Sequence, residues 1–320
     1  MKKALVVIVL VAVAVIFIAI GLARKGKSKT ERRIAVIPKA TTHIFWESVR
    51  AGAQKAGAEA GVKIFWNGPE RETDREKQIQ IIEDFIVQKV SGIVLAPNDS
   101  KALVPLVERV FAKNIPCAII DSGIDTDKYI CFAATDNYKG GVIAARRMGK
   151  ILNNKGEIIV VKYVPGSAST ANREDGFIDT IEKEFPGIKI VDAKYGMDTV
   201  ETALQATEDL LTKNTELDGL YACNASTSVG ALAALSNPIY AGKIKMVGFD
   251  AEKALIKGLQ EGLIDSLVVQ NPYKMGYEGV KAVIAALDGK EVPKRIDTGV
   301  ELVTKERLAE PRIKALLDLQ

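Results

Sequence analysis

Short apolar runs alternate with amphipathic stretches along the chain, beginning with one well-defined unit. Residues 33–38 form an apolar run ended by proline, with the length of a buried strand. Residues 45–60 carry small and apolar side chains at helical spacing, and residues 62–66 form a second apolar run. This order predicts a βαβ unit, in which the loop after the first strand binds ligands. That loop, residues 39–44, contains the only histidine of the chain, His43.

The alternation of strand and helix patterns continues in two rounds. The first round adds predicted strands at residues 92–96, 115–120 and 130–134. The second round has predicted strands at residues 157–164, 188–193, 219–223, 245–249 and 265–270, with one late strand at residues 297–304. Helical patterns separate these runs. The pattern predicts an α/β fold of two similar doubly wound lobes, each a parallel sheet with right-handed crossovers and helices on both faces.

Polar side chains recur just after the predicted strands. They are Lys39, His43, Asp121, Arg173, Asn224, Asp250 and Gln270. Loops at the carboxyl ends of parallel strands line the ligand crevice in such folds. Carboxylates accept hydrogen bonds from hydroxyls, amides both donate and accept, and an arginine offers a planar fork of donors. Phe45 and Trp46 add flat apolar surface that suits the C–H face of a sugar ring, so the set favours a polyhydroxylated small molecule.

Each of these residues also has a purely structural interpretation. Asp121, Asn224 and Asp250 could cap turns or helices. Trp46, at the start of a helix, suits the core as well as a pocket, and Arg173 could form a surface pair with an adjacent carboxylate. The indication of a binding site therefore comes from the repeated position after strands and not from any one residue.

Charge and composition narrow the function classes. Of 44 basic and 40 acidic residues, eight basic and one acidic lie in residues 1–33. The remainder is slightly acidic, which disfavours nucleic acid as a partner. Three cysteines without CxxC spacing and one histidine disfavour a metal site. Cys117 and Cys131 lie in successive predicted strands, so the sequence allows either a disulfide between them or two buried thiols. Motifs for cofactor binding or catalysis are absent from the sequence, so no cofactor and no enzymatic activity are expected.

The N-terminal segment is apolar over residues 4–22, behind two lysines. Its length suits a membrane span and exceeds a usual signal-peptide core, so residues 1–31 are predicted to be a signal peptide or an N-terminal membrane anchor. Six basic residues at positions 24–33 would, by the positive-inside tendency, keep the rest of the chain cytoplasmic. The GxxxxGK[ST] pattern at residues 21–28 lacks a preceding strand and a following helix, and is interpreted as a coincidence of this basic flank.

Five short motifs resemble one family. They are Phe45-Trp46, ATDNYKGG at residues 134–141, NREDGF at residues 172–177, VGFD at residues 247–250 and VVQNP at residues 268–272. Over residues 33–320 the chain resembles the type I periplasmic sugar-binding proteins of ABC transporters, in their ribose/galactose-binding branch. Related repressors carry a helix-turn-helix where this chain has an apolar segment, which argues against a DNA-binding regulator. The resemblance overrides the charge bias and favours export.

The resemblance implies two lobes that close around a ligand by a hinge of three crossing segments. The N-terminal lobe would comprise residues 32–135 and 271–299, and the C-terminal lobe residues 136–270 and 300–320. The hinge segments would lie near residues 135–137, 270–271 and 299–300. The implied ligand contacts are His43, Phe45, Trp46, Asp121, Arg173, Asn224, Asp250 and Gln270.

Two positions depart from the pattern of the ribose binders. Those proteins have an arginine beside the aspartate of the fourth strand, where this chain has Ser122, and often a serine at the position of Lys39. Both residues join the predicted site. Exchanging one cation for another at a different position is expected to change which hydroxyls, or even which anionic group, the site prefers.

Together these features predict an extracytoplasmic solute-binding protein that acts as a monomer. It would bind a sugar or polyol between its lobes and deliver it to an ABC transporter permease in the membrane. An alternative is a membrane-anchored sensory module that presents its ligand to a chemoreceptor or sensor kinase. An enzyme is the least favoured interpretation.

Overall fold

The structure, a computed structural model, describes residues 31–319, which form two six-stranded sheets. The strands of the first sheet are β1 (Arg33–Ile37), β2 (Lys63–Trp66), β3 (Gly92–Leu95), β4 (Cys117–Ile120), β5 (Cys131–Ala134) and β11 (Arg295–Asp297). Those of the second are β6 (Gly156–Lys162), β7 (Ile188–Tyr195), β8 (Gly219–Ala222), β9 (Lys245–Phe249), β10 (Ser266–Gln270) and β12 (Val300–Thr304).

The two sheets have equivalent strand orders. The first is β11-β5-β4-β3-β1-β2 and the second is β12-β10-β9-β8-β6-β7. All neighbouring strands are parallel except β12, which runs antiparallel to β10 with Val300 opposite Gln270. The predicted α/β class with two similar parallel-dominated lobes is confirmed, and one edge strand departs from the parallel arrangement.

Helices cover both faces of the sheets. Their bounds are α1 (Ile44–Ala60), α2 (Arg75–Val87), α3 (Val104–Ala112), α4 (Asn137–Ile151), α5 (Ala168–Glu184), α6 (Val200–Lys213), α7 (Ala225–Leu235), α8 (Lys253–Glu261), α9 (Pro272–Leu287) and α10 (Pro311–Leu317). Successive side chains of β1 enter different clusters, because the strand period is two. Ile34 and Val36 pack towards α1 and α9, and Ala35 and Ile37 pack towards α2 and α3.

Within the described residues the chain passes between the sheets three times: after β5, after β10, and between β11 and β12. The prediction of one strand over residues 297–304 is wrong. Gly299 adopts a left-handed backbone with φ of +89° and separates β11 from β12. Glycine reaches this conformation without steric cost, so the chain can leave one sheet and join the other over two residues.

The predicted N-terminal signal or anchor, residues 4–22, and the GxxxxGK[ST] pattern lie outside the described residues. Within residues 31–319, no helix has both the length and the apolar character needed to span a bilayer. The cysteines Cys117, Cys131 and Cys223 are buried and unpaired with one another. Burial raises the pKa of the Cys117 thiol to about 12 and that of Cys131 to about 11, so both are inert neutral groups.

Candidate binding site

The loops that follow the strands of the two sheets enclose a polar cavity. It comprises about 420 Å³ of space between protein atoms, part of which is open to solvent. Its wall includes nine of the ten residues predicted from the sequence: Lys39, His43, Phe45, Trp46, Asp121, Arg173, Asn224, Asp250 and Gln270. Further residues of the wall are Glu72, Tyr163, Ser169, Thr170, Ala225 and Ser226.

Lys39 joins the two sides of the cavity. It follows β1, is 3% exposed, and its Nζ lies 2.8 Å from Asp121 Oδ2. The same nitrogen donates to Ser169 Oγ at 3.0 Å and to Ser167 Oγ at 3.3 Å, both on the second-sheet side. The ammonium therefore makes one ion pair and two hydrogen bonds with buried side chains of the described chain. The lysine charge therefore neutralises Asp121.

Ser122 lies behind the cavity wall and not in it. The residue is fully buried, and its Oγ accepts a hydrogen bond of 3.0 Å from the Ser169 N–H. The cation beside Asp121 comes instead from Lys39, in the loop after β1.

Arg173, on α5, is held in a fixed orientation at the opposite wall. Its side chain is buried, and its Nε donates to Asn137 Oδ1 at 2.8 Å. Its Nη2 donates to Gln270 Oε1 at 2.8 Å and its Nη1 to the Cys223 carbonyl at 3.1 Å. The guanidinium carbon lies 4.1 Å from the centre of the Phe249 ring, a cation–π distance. The arginine is therefore a buried, preorganised donor and not one half of a surface pair.

Asp250 completes a chain of polar contacts with Gln270 and Arg173. Its Oδ1 accepts from Gln270 Nε2 at 2.7 Å, and its Oδ2 accepts from the Ala225 N–H at 2.9 Å. Burial raises the pKa of the Asp250 carboxyl above its ordinary value, and the charge of Arg173 offsets part of that rise. These bonds hold the Asp250 carboxylate in one orientation at the cavity wall.

Asp121 and Asp250 occupy equivalent points of the two lobes. Each follows the strand at the same place in its sheet, β4 or β9, and each has a left-handed backbone, with φ of +60° and +70° respectively. Aspartate tolerates this region better than most residues, yet the conformation costs on the order of 1–3 kcal/mol. Strain repeated at the ends of two equivalent strands supports a functional role for both carboxylates.

The aromatic wall is built from Phe45 and Trp46 at the start of α1. Their rings meet edge to face, with centres 5.0 Å apart and planes at 84°. Trp46 is 1% exposed and packs in the core as well as lining the cavity, so both interpretations of this residue apply. Its Nε1 donates to Glu72 Oε1 at 2.8 Å, and Tyr163 Oη donates to Glu72 Oε2 at 2.9 Å.

Asn224 and His43 both stand immediately before helices. Asn224 caps α7, since its Oδ1 accepts from the Thr227 N–H and Thr227 Oγ1 accepts from the Asn224 N–H. Its amide nitrogen donates to Ser226 Oγ at 3.3 Å. The structural interpretation of Asn224 as a helix cap is therefore confirmed, in addition to its place in the cavity wall. His43 precedes α1 without a side-chain capping bond and contributes to the wall.

Sequence reasoning missed Glu72 and Tyr163. Both follow strands of the fold, β2 and β6, so the rule that selected the other residues applied to them as well. Tyr163 falls within the predicted strand over residues 157–164, and in the structure it is 2% exposed. Glu72 lies in a loop with several charged residues, a pattern that is typical of solvated surface.

Two similar α/β lobes with a polar cavity at the strand ends between them define a two-lobe ligand-binding protein. The chain belongs to the periplasmic binding protein family, because the model of the periplasmic binding protein domain matches residues 34–291. This membership confirms the resemblance predicted from the motifs and the expectation that the chain is not an enzyme. The family also implies an extracytoplasmic location.

Several characterised proteins are similar over most of the chain. The D-ribose/D-allose-binding protein of Pseudomonas aeruginosa is 30% identical over 285 residues, which cover 85% of this chain and 88% of the relative. The ribose import binding protein of Bacillus subtilis is 28% identical, covering 87% and 89%. A carbohydrate transporter solute-binding protein from Agrobacterium radiobacter, solved with D-arabinose, is 37% identical with a TM-score of 0.88, covering 91% of this chain and 100% of that one.

Proposed function

We propose that the cavity binds an uncharged monosaccharide or polyol, which the protein delivers to an ABC transporter permease. The wall offers the groups that such a ligand needs, namely carboxylate and amide acceptors, a fixed guanidinium donor and aromatic surface. The similar proteins named above bind ribose, allose or arabinose and supply the class of ligand.

The charge balance of the wall is the observation that carries the preference for an uncharged ligand. The charged lysine and arginine side chains of the wall are Lys39 and Arg173, and the carboxylates are Asp121, Asp250 and Glu72. Lys39 already faces Asp121 at 2.8 Å, and Arg173 is held by Gln270 and two other protein acceptors. A carboxylate or phosphate on the ligand would meet a wall with excess negative charge. The structure thus gives no support to a preference for an anionic ligand.

We further propose that residues 32–135 and 271–299 move as one lobe, and residues 136–270 and 300–320 as the other. The three passages between the sheets would form the hinge. Closing brings donors and acceptors of both lobes around the ligand and removes them from water, which supports an affinity in the micromolar range or tighter, about −8 kcal/mol.

A calorimetric binding series tests this function. The series contains D-ribose, D-allose and D-arabinose together with the charged analogues ribose 5-phosphate and galacturonate. At least one neutral sugar is expected to bind with a micromolar or lower Kd, and the charged analogues at least about tenfold more weakly. Asp250→Ala is expected to abolish the binding. Saturable binding of only the charged analogues would overturn the proposal, as would a flat response to the whole series.

The same proposal places the protein outside the cytoplasm, with residues 4–22 directing export. It acts there as a monomer. A C-terminal tag tested for protease access in spheroplasts reports the side of the membrane, and the apparent mass of the mature chain reports whether the N-terminal segment is retained. Protection of the tag would contradict export.

A further inference from the structure

The loop after β2 makes side-chain contacts with the second lobe that lie mostly outside the cavity. Arg71 donates two hydrogen bonds to Asp198, from Nε to Oδ2 at 3.1 Å and from Nη2 to Oδ1 at 2.6 Å. Thr73 Oγ1 donates to Asp198 Oδ2 at 2.8 Å. Between them, Glu72 accepts from Tyr163 Oη at 2.9 Å. Three consecutive residues of one lobe therefore bond to two residues of the other.

Asp198, which accepts three of these bonds, is more deeply buried than its donor Arg71. Asp198 is 1% exposed, whereas the Arg71 side chain is 59% exposed and lies over it. Burial opposes ionisation of Asp198, but the hydrogen bonds and charge of Arg71, with the Thr73 hydroxyl, outweigh it and hold the pKa of this carboxyl below its ordinary value. The carboxylate of one lobe is thus stabilised by donors of the other lobe.

These contacts lie far from the segments that connect the two lobes, so a small rotation of the lobes separates them. Arg71, Glu72 and Thr73 follow β2, and Asp198 follows β7, which are the last strands at equivalent ends of their sheets. The passages between the lobes lie at the opposite ends, next to β5, β10, β11 and β12. Five strand spacings separate the two ends, roughly 24 Å, so an opening of about 10° would part the contacts by roughly 4 Å and break them.

We propose that Arg71, Glu72 and Thr73, with Tyr163 and Asp198, form a clasp that sets ligand affinity by stabilising the closed arrangement of the lobes. The clasp acts on the closing equilibrium and, through Glu72, fixes Trp46 and Tyr163 in the cavity wall. Because Arg71, Thr73 and Asp198 are outside the cavity wall, weakening their contacts lowers the fraction of closed protein for every ligand by the same factor. This inference rests on the proposed hinge closure around a sugar.

Two variants weaken the clasp, and two others serve as matched controls. Arg71→Ala removes the guanidinium and Thr73→Val removes the hydroxyl, whereas the control Thr73→Ser keeps the hydroxyl. The second control is Arg147→Ala, because Arg147 makes the same two-bond contact with Asp265 within one lobe, at 2.6 and 3.0 Å. We expect Arg71→Ala to raise the Kd of every bound sugar by about fivefold, and Thr73→Val by a smaller factor. Thr73→Ser and Arg147→Ala should stay within about twofold of the wild type.

A distance measurement on ligand-free protein tests the clasp independently of which sugar the protein binds. Dyes attached to cysteines introduced at the exposed positions Glu76 and Glu208 report the distance between α2 and α6 by energy transfer, since the native cysteines are buried. Arg71→Ala should lower the closed fraction of ligand-free protein relative to the wild type and Arg147→Ala. Identical distributions in all three would overturn the clasp, as would a change in the ranking of sugars by Arg71→Ala. If no sugar binds, the proposed function is wrong. The distance measurement still tests the clasp in that case, because it needs no ligand.

Discussion

Replacement of Lys39 by methionine tests the most unusual contact of the site. The lysine and its partner Asp121 have side chains that are 3% and 5% exposed, with Nζ and Oδ2 2.8 Å apart. Methionine keeps much of the apolar stem but leaves the carboxylate buried without its cation. Removing one member of such a pair costs about 3–5 kcal/mol, because the remaining charge is uncompensated. For a chain of this size that corresponds to a melting temperature lower by roughly 10 °C.

A double-mutant cycle separates the pair from the loss of the lysine alone. Asp121→Asn removes the carboxylate charge with little change in volume, and the double variant has neither charge. We expect both single variants to be destabilised, and the double variant to be more stable than the sum of the two losses by about 2 kcal/mol. Urea unfolding of ligand-free protein gives the four free energies. Lys101→Met, at an exposed position of the same lobe, is the control and should change stability by no more than about 0.5 kcal/mol.

The outcome bears directly on the assignment of Lys39. If the losses of the two single variants add within about 0.5 kcal/mol, the two charges do not interact and the buried pair is refuted. The ligand would then meet a free ammonium, and the preference for uncharged sugars would lose its main support.

Three further variants test Arg173 at the opposite wall of the cavity and the titration of Asp250. Arg173→Met should destabilise the protein by about 3–5 kcal/mol and abolish sugar binding, because three buried acceptors lose their donor. Arg173→Lys should recover stability only in part, because an ammonium cannot reproduce the planar donors of the guanidinium. Urea unfolding and calorimetry measure stability and binding, and full recovery of both by lysine would contradict the fixed geometry. For Asp250 the folded pKa is raised by burial, so its contribution to stability is present below the ordinary pKa of about 3.9 and is lost as pH rises through the folded value. The stability of the wild type relative to Asp250→Asn should therefore fall with rising pH above about 4. If this difference in stability rises with pH instead, the pKa of Asp250 is not raised in the folded protein.

Alternating apolar and amphipathic runs were sufficient to predict the two α/β lobes, because buried parallel strands need nearly continuous apolar sequence and their connecting helices do not. Most of the cavity wall was also predictable. Asp121, Asp250 and Gln270 stand at or just after strands, and the carboxyl ends of parallel strands meet at one edge. The division of residues 297–304 between the two sheets was not predictable. Both halves have the same local pattern, and only the packing of the lobes assigns each half to a sheet.

The sequence by itself thus determined the class of fold, the edge at which a ligand would bind and the polar residues along that edge. Only the tertiary structure decided how those residues are paired. Lys39 neutralises Asp121 from a loop that is distant in sequence, and Arg71 lies over Asp198, which is 127 positions away. Such pairings depend on which strand ends meet across the two lobes, and local sequence patterns carry no record of a contact between side chains so far apart along the chain.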